Sequence, residues 1–166
     1  MSPLYVDTMT QYIYTLGGDI SRWQKLWKPD VAAAAGWEFV YLRMGSIDKV
    51  SGQCYMDLRF EENIAKAPSF LRVGLYFYFR PNHDIQRQAD FICSHLIPYL
   101  NESWFIGFDL DVEVSGGVVP VTMANRTKQC LDQIEQNVGL RPSIYTRSSF
   151  WNTAVGKVPW IVNYKT

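Results

Sequence analysis

Apolar and polar positions along the chain follow two alternating periods. Short β-branched and aromatic runs at Leu16–Ile20, Glu38–Met44, Arg72–Phe79, Trp104–Glu113 and Pro142–Thr146 read as strands. Between them, apolar residues recur three and four apart, the spacing of a helix with one buried face. Ile85, Ala89, Ile92 and Leu96 form such a stripe behind Asp84, a capping residue type. Phe60, Ile64 and Ala67 form another, with Asp57 as its predicted cap and Pro68 as its interruption. Leu131, Ile134 and Val138 form a third, in a helix predicted over Pro120–Val138 and stopped by Gly139. Pro29 opens a short helix that runs through four alanines to Gly36. Ser46–Met56 reads as a long loop, a length at which loops tend to be functional. Phe150–Val155 reads as a short helix and Val158–Tyr164 as a sixth strand.

Strands alternating with helices predict an α/β fold with a mostly parallel sheet, either an open doubly wound sheet or a barrel. A complete eight-stranded barrel usually takes about 200–250 residues. At 166 residues, a barrel here is expected to be shortened. Residues 1–16 show no period and are set apart as an N-terminal extension; 17–166 form one domain.

Composition narrows the function classes. Apolar residues make up 48% of the chain and charged residues 19%, which excludes a disordered chain. Sixteen basic residues balance sixteen acidic ones without a basic cluster, so no nucleic-acid partner is expected. The apolar stretch Val73–Phe79 is far short of the ~18 residues a membrane span needs, so no membrane partner is expected. The first twenty residues lack the basic-then-apolar pattern of a signal peptide. Cys54, Cys93 and Cys130 are too widely spaced for a zinc site or a disulfide framework and read as small buried thiols.

The sharpest chemical feature is Gly107-Phe-Asp109-Leu-Asp111-Val-Glu113. Carboxylates at alternate positions of a strand share one face, and like charges there are costly unless something uses them. The C-terminal end of a strand in an α/β fold opens onto the usual active site. Three readings stay open from spacing alone: an acid/base pair, a Mg²⁺ or Ca²⁺ site of oxygen ligands, and a solvated strand end. Asp19 ends the first strand on the same side of the sheet. Trp23, Tyr41, Tyr76, Tyr78, Trp151, Trp160 and Tyr164 are expected around these strand ends, and aromatic faces beside acids suit a sugar.

The order of these segments resembles glycoside hydrolase family 25, the Chalaropsis-type lysozymes or N-acetylmuramidases. Asp19-Ile-Ser-Arg-Trp-Gln24 is similar to that family's opening D-x-S-x-W-Q. Ala35-Gly36 with Phe39-Val40 and Arg43 is similar to its second strand, and Asp57-x-x-Phe60-x-x-Asn63-x-x-x-Ala67 to the helix that follows. Gly74-Leu-Tyr76-Phe-Tyr-Phe-Arg-Pro81, Gln88-Ala89-x-Phe91, Asp111-x-Glu113, Arg141-Pro142-x-Ile-Tyr145 and Trp160-x-x-x-Tyr164 are similar to further family segments in sequence order. The resemblance covers residues 17–164, and no single motif is specific. It implies a TIM-like barrel of the (β/α)5β3 type, here expected to lack the last strands. It also departs from the family at Phe77, where the family often has His beside its strand-three Tyr.

The resemblance implies a peptidoglycan hydrolase that cuts the β-1,4 bond between N-acetylmuramic acid and N-acetylglucosamine, with no metal or organic cofactor. Glu113 is implied as general acid, and Asp111 as the carboxylate that stabilises an oxocarbenium-like centre or orients the substrate's N-acetyl group. Asp19 would position substrate or water. Tyr76, Tyr78, Arg43, Trp23, Tyr145 and Trp160 are the expected sugar contacts. Strand geometry puts the i and i+2 carboxyls roughly 6–7 Å apart at Cβ, between the retaining and inverting separations. Two alternatives remain: an inactive lysozyme-like module that binds glycan or docks in an assembly, and a metal-dependent phosphotransfer domain. Open edges at the first and last strands would invite a second copy or the N-terminal extension. Bacterial peptidoglycan is the expected partner, and the site of action is expected to be extracellular or at the cell wall, as for a phage lysin or a secreted enzyme.

Overall fold

Five parallel strands curl into one sheet in the order β1-β2-β4-β5-β6, with β3 off this path. In the computed structural model, residues 15–24 and 27–164 are described, and the N-terminal extension up to residue 14 lies outside them. The strands are β1 Gly17–Ile20, β2 Phe39–Ile47, β3 Cys54–Met56, β4 Arg72–Tyr78, β5 Phe105–Asp111 and β6 Ser143–Tyr145. The helices are α1 Pro29–Ala34, α2 Phe60–Lys66, α3 Ile85–Leu96, α4 Pro120–Val138 and α5 Ser148–Ala154. Helices follow β1, β4, β5 and β6 directly, and each pairing along the β1-to-β6 path is parallel. The chain is an α/β half-barrel.

Alternation along each strand separates two faces. Val40 and Leu42, Val73, Leu75 and Phe77, Phe108 and Leu110, and Ile144 point outward and are almost wholly buried. The stripes of α3 (Ile85, Ala89, Ile92, Leu96) and α4 (Met123, Cys130, Leu131, Ile134) join them in one core. Each such Leu, Ile or Phe contributes roughly 1.5–3 kcal/mol by leaving water, so this layer holds the sheet in its curl. The long helices match expectation: Asp84 accepts the Arg87 N–H at 2.9 Å, and Gly139 ends α4 with φ +71°.

The inward face carries Phe39, Tyr41 and Arg43, Tyr76 and Tyr78, and Asp109 and Asp111. Gly74 makes room for one of them: a Cβ there would sit 2.3 Å from the Tyr41 ring. Gly74→Val is therefore expected to drive Tyr41 off the sheet and to lower stability by about 1–3 kcal/mol, read as a lower urea midpoint.

Three expectations are corrected. The segment expected to be a long loop, Ser46–Met56, is mostly a hairpin. The β2 strand runs on to Ile47, and β3 pairs with it antiparallel from Gly45↔Met56 to Ile47↔Cys54. The turn closes because Asp48 Oδ1 accepts the N–H groups of Val50 and Ser51 at 3.1 and 2.7 Å. Asp57 does not cap α2, whose N-cap is Arg59. It closes the turn before the helix, accepting the Arg59 N–H at 3.0 Å. Val158–Tyr164 is not a strand: Pro159–Asn163 forms a 3-10 helix, its turns closed by Ile161 N–H on Val158 O and Tyr164 N–H on Ile161 O. Its side chains satisfy themselves against the helices, with the Tyr164 hydroxyl donating to Asp132 of α4 at 3.0 Å. Of the three thiols, Cys93 and Cys130 are buried and Cys54 is only half-buried.

Candidate active site

A cleft of about 240 Å³ lies against the inward face of the sheet. Its lining runs across β1, β2, β4, β5 and β6 and includes Asp19, Tyr41, Tyr76, Asp109, Asp111 and Tyr145. Each arrives by strand alternation. Asp19 is opposite Tyr41, Tyr76 is opposite Asp109, and Asp111 is opposite both Tyr78 and Tyr145. Sheet pairing thus brings side chains more than ninety positions apart in sequence onto one concave surface.

Asp111 is the electrostatic centre. It is 6% exposed, and its Oδ1 is buried without a hydrogen-bond partner among the described residues. Burial first, and then the neighbouring Glu113 charge, push its carboxyl up to about 7. Arg43 opposes that shift, whereas Asp19 and Asp109 add to it. Glu113, two residues on, is more open, and Arg147 holds it in an ion pair of 2.8 Å. Of the two carboxyls, burial therefore falls chiefly on Asp111.

Asp109 is a member of the carboxylate row to which the sequence assigned no role. It sits on the cleft floor, where burial raises its carboxyl, and it accepts from the Ser143 hydroxyl of β6. Tyr41 lies beside it, its hydroxyl pushed up to about 12 by burial and then by the Asp109 charge. The signal for Asp109 was present in the i, i+2, i+4 spacing; Ser143 carried none, because its partner is 34 residues away.

The expected sugar contacts divide. Tyr76 lines the cleft and is 9% exposed; its hydroxyl is raised by burial and then by Asp19. Tyr145 lines it from β6 and is half-exposed. Tyr78 stands next to Asp111 with the Arg43 and Arg80 guanidinium groups each 5.4 Å from its ring centre. Arg43 is within the same group, donating to the Tyr55 hydroxyl at 3.2 Å. Trp23 and Trp160 are not brought to the cleft lining. Trp23 is 68% exposed beneath the Arg22 guanidinium, and Trp160 packs edge-on against Trp151 and Tyr164. Among the described residues, no group of His, Cys, Asp and Glu is arranged to hold a metal ion. None of their helices is long and apolar enough to cross a membrane.

A buried carboxyl poised near neutrality, a more open carboxyl two residues on, and tyrosines on both sides can exchange a proton with a bound polyol and stack on its rings. Comparison with known proteins points the same way. The sequence profile of Glycosyl hydrolases family 25 matches residues 16–166. Among solved structures, the chain is similar to the bacterial lysozyme from Streptomyces coelicolor, with a TM-score of 0.74 and 25% identity over 84% of this chain and 66% of that one. It is similar to a muramidase from Acremonium alcalophilum, with a TM-score of 0.79 and 21% identity over 90% of this chain and 73% of that one. It is also similar to a family GH25 lysozyme from Aspergillus fumigatus, with a TM-score of 0.74 and 23% identity over 84% and 68%. No curated protein matches it. The chain spans about two thirds of the length of these solved relatives.

Proposed function

Because this chain belongs to glycosyl hydrolases family 25, we propose that it is a peptidoglycan hydrolase, an N-acetylmuramidase that opens the β-1,4 bond between N-acetylmuramic acid and N-acetylglucosamine. The observation that carries this reading is the cleft that gathers Asp19, Asp111, Tyr76 and Tyr145, with Glu113 beside Asp111. Its partner is the bacterial cell wall, and its place of action is outside the cell or at the wall. The domain that does this work runs over residues 17–166.

Glu113, the more open carboxyl, delivers the proton to the leaving-group oxygen. Asp111, set deeper, stabilises positive charge at the anomeric carbon or accepts the N–H of the substrate's acetamido group, so that its carbonyl oxygen attacks the anomeric carbon. In the second route, the glycosidic bond breaks as the intramolecular C–O bond forms, and the leaving oxygen takes the Glu113 proton. Water then opens the cyclic intermediate and returns a proton to Glu113. Either role of Asp111 needs its ionised form. With its carboxyl at about 7, kcat/KM for the free enzyme is expected to fall as pH drops below about 7. A profile flat from pH 5 to 8 would remove Asp111 from the chemistry. Asp19 and Tyr76 hold the sugar from the β1 and β4 sides, and Tyr145 from the β6 side.

The experiment is digestion of purified peptidoglycan, followed by borohydride reduction and mass analysis of the fragments. Fragments with reduced muramic acid at their ends support the reading. Fragments ending in reduced glucosamine, or none at all, overturn it. Sedimentation with the wall but no release would favour a glycan-binding module instead.

A further inference from the structure

Arg43 lies over the ring of Tyr78, the β4 partner of Asp111, and its charge acts on the Asp111 carboxyl, yet Asp111 Oδ1 has no hydrogen-bond partner among the described residues. The polar partners of the guanidinium are instead Asp57 and Tyr55, on the β3 side of β2. β2 contains a bulge between Arg43 and Gly45: Arg43 pairs with Tyr76, and two residues on, Gly45 pairs with Phe77. Such a bulge re-aims the side chains next to it. Its carbonyl, that of Met44, accepts the Asp57 N–H at 2.8 Å. That bond sets Asp57 against Arg43. The Asp57 side chain is 1% exposed, and its Oδ2 faces Arg43 Nε at 3.9 Å. This is a Coulombic contact without a hydrogen bond, and both atoms are otherwise buried and unpartnered among the described residues. The other end of the guanidinium donates to the Tyr55 hydroxyl of β3 at 3.2 Å, and its flat face lies over Tyr78.

We propose that Asp57 is a positioning residue for the Asp111 carboxyl: with Tyr55, it anchors Arg43 on the β3 side of the cleft and keeps it beside Asp111 but unpaired with it. This rests on the role of Asp111 given above. A buried charge such as Asp57 is stable only against an opposite charge, so the pair is self-maintaining. A free arginine in the same place would close on the unpartnered Asp111 Oδ1 and form the bidentate pair that guanidinium and carboxylate favour. Asp111 would then be locked as a salt-bridged carboxylate, unable to turn to the substrate. Besides Arg43, the groups facing Asp111 are Asp19 of β1, Tyr76 and Tyr78 of β4, Asp109 and Glu113 of its own segment, and Tyr145 of β6. Of the nearby cations among the described residues, Arg147 is paired with Glu113 and Arg80 lies over Tyr78, whereas Arg43 acts on Asp111 itself, so its position governs what can change.

The test is the titration of Asp111 in the chain itself, followed by its carboxyl ¹³C resonance and assigned by its loss in Asp111→Asn. In Asp57→Asn, which keeps an acceptor for the Arg59 N–H, the Asp111 acid dissociation constant is expected to rise roughly tenfold or more as Arg43 closes in. Tyr55→Phe removes the second anchor from a short surface hairpin and is expected to move it the same way by less. It decides the matter if Asp57→Asn does not fold. An Asp111 titration unchanged or moved upward in the folded variants overturns the proposal. The readout needs no substrate, so a chain that releases nothing from peptidoglycan refutes the proposed activity separately.

Discussion

Glu113→Gln is expected to lower the release of reducing ends from peptidoglycan by about 10²–10⁴-fold, the range lost when a positioned general acid is removed. The amide keeps the shape of the carboxyl and can still accept from Arg147, so the fold and the cleft lining should remain. What it cannot do is give a proton to the leaving oxygen at neutral pH. A second consequence distinguishes this variant from one that is merely inactive. The Glu113 charge is the second-largest cause, after burial, of the raised Asp111 carboxyl. Removing it should move the Asp111 titration downward, so the residual activity should persist to lower pH than in the parent chain. Equal rates for Glu113→Gln and the parent chain would transfer the acid role elsewhere, with Asp111 the first group to examine.

Asp111→Asn is expected to abolish activity and yet to stabilise the fold above neutral pH. The sign follows from linkage. The carboxyl is raised from an ordinary value of 3.8 to about 7 in the folded chain, so the folded state binds its proton more tightly than the unfolded chain does. Its contribution to stability is complete below about 4 and is lost as pH rises through about 7. At about 1.4 kcal/mol per pH unit of displacement, the ceiling is roughly 4 kcal/mol. The neutral amide does not titrate, so the variant should lose none of it. Urea unfolding of both chains at pH 4 and pH 8 measures this. The stability difference in favour of the variant should widen by a few kcal/mol toward pH 8. A difference independent of pH would mean that Asp111 is charged in the folded chain as readily as in the unfolded one. A site kept at the expense of stability is common where a group must be buried to react.

The main path of the sheet and its helices was legible in the sequence because each element carries its own period. The α3 stripe from Ile85 to Leu96 and the alternating runs of β4 and β5 need no distant partner to declare themselves. The row Asp109, Asp111, Glu113 was legible for the same reason: alternation alone puts acids two apart on one face. So was the direction of the fold, since helices between strands demand a parallel sheet. Three features were not. The β3 hairpin depends on the Asp48 turn and on a free edge of β2 beyond the end of β1. The segment at Pro159–Asn163 is apolar and aromatic enough for a strand, but its aromatic side chains found partners in α5, α4 and each other before any neighbouring strand. Trp23 and Trp160 share the chemistry of Tyr76 and Tyr145, and only their placement keeps them from the cleft lining.

The sequence by itself determined which residue types meet at the strand ends: the acids of β1 and β5, the tyrosines of β4 and β6, and the arginine of β2. The tertiary structure alone decided their standing. It buried Asp111 rather than Glu113, turned Asp57 from a helix cap into the partner of Arg43, and brought Ser143 to Asp109. Local periodicity arises from the backbone geometry of one element. Burial and charge arise from neighbours that the chain meets only after the sheet has closed around them, and a carboxyl's readiness to hold a proton depends on those neighbours alone.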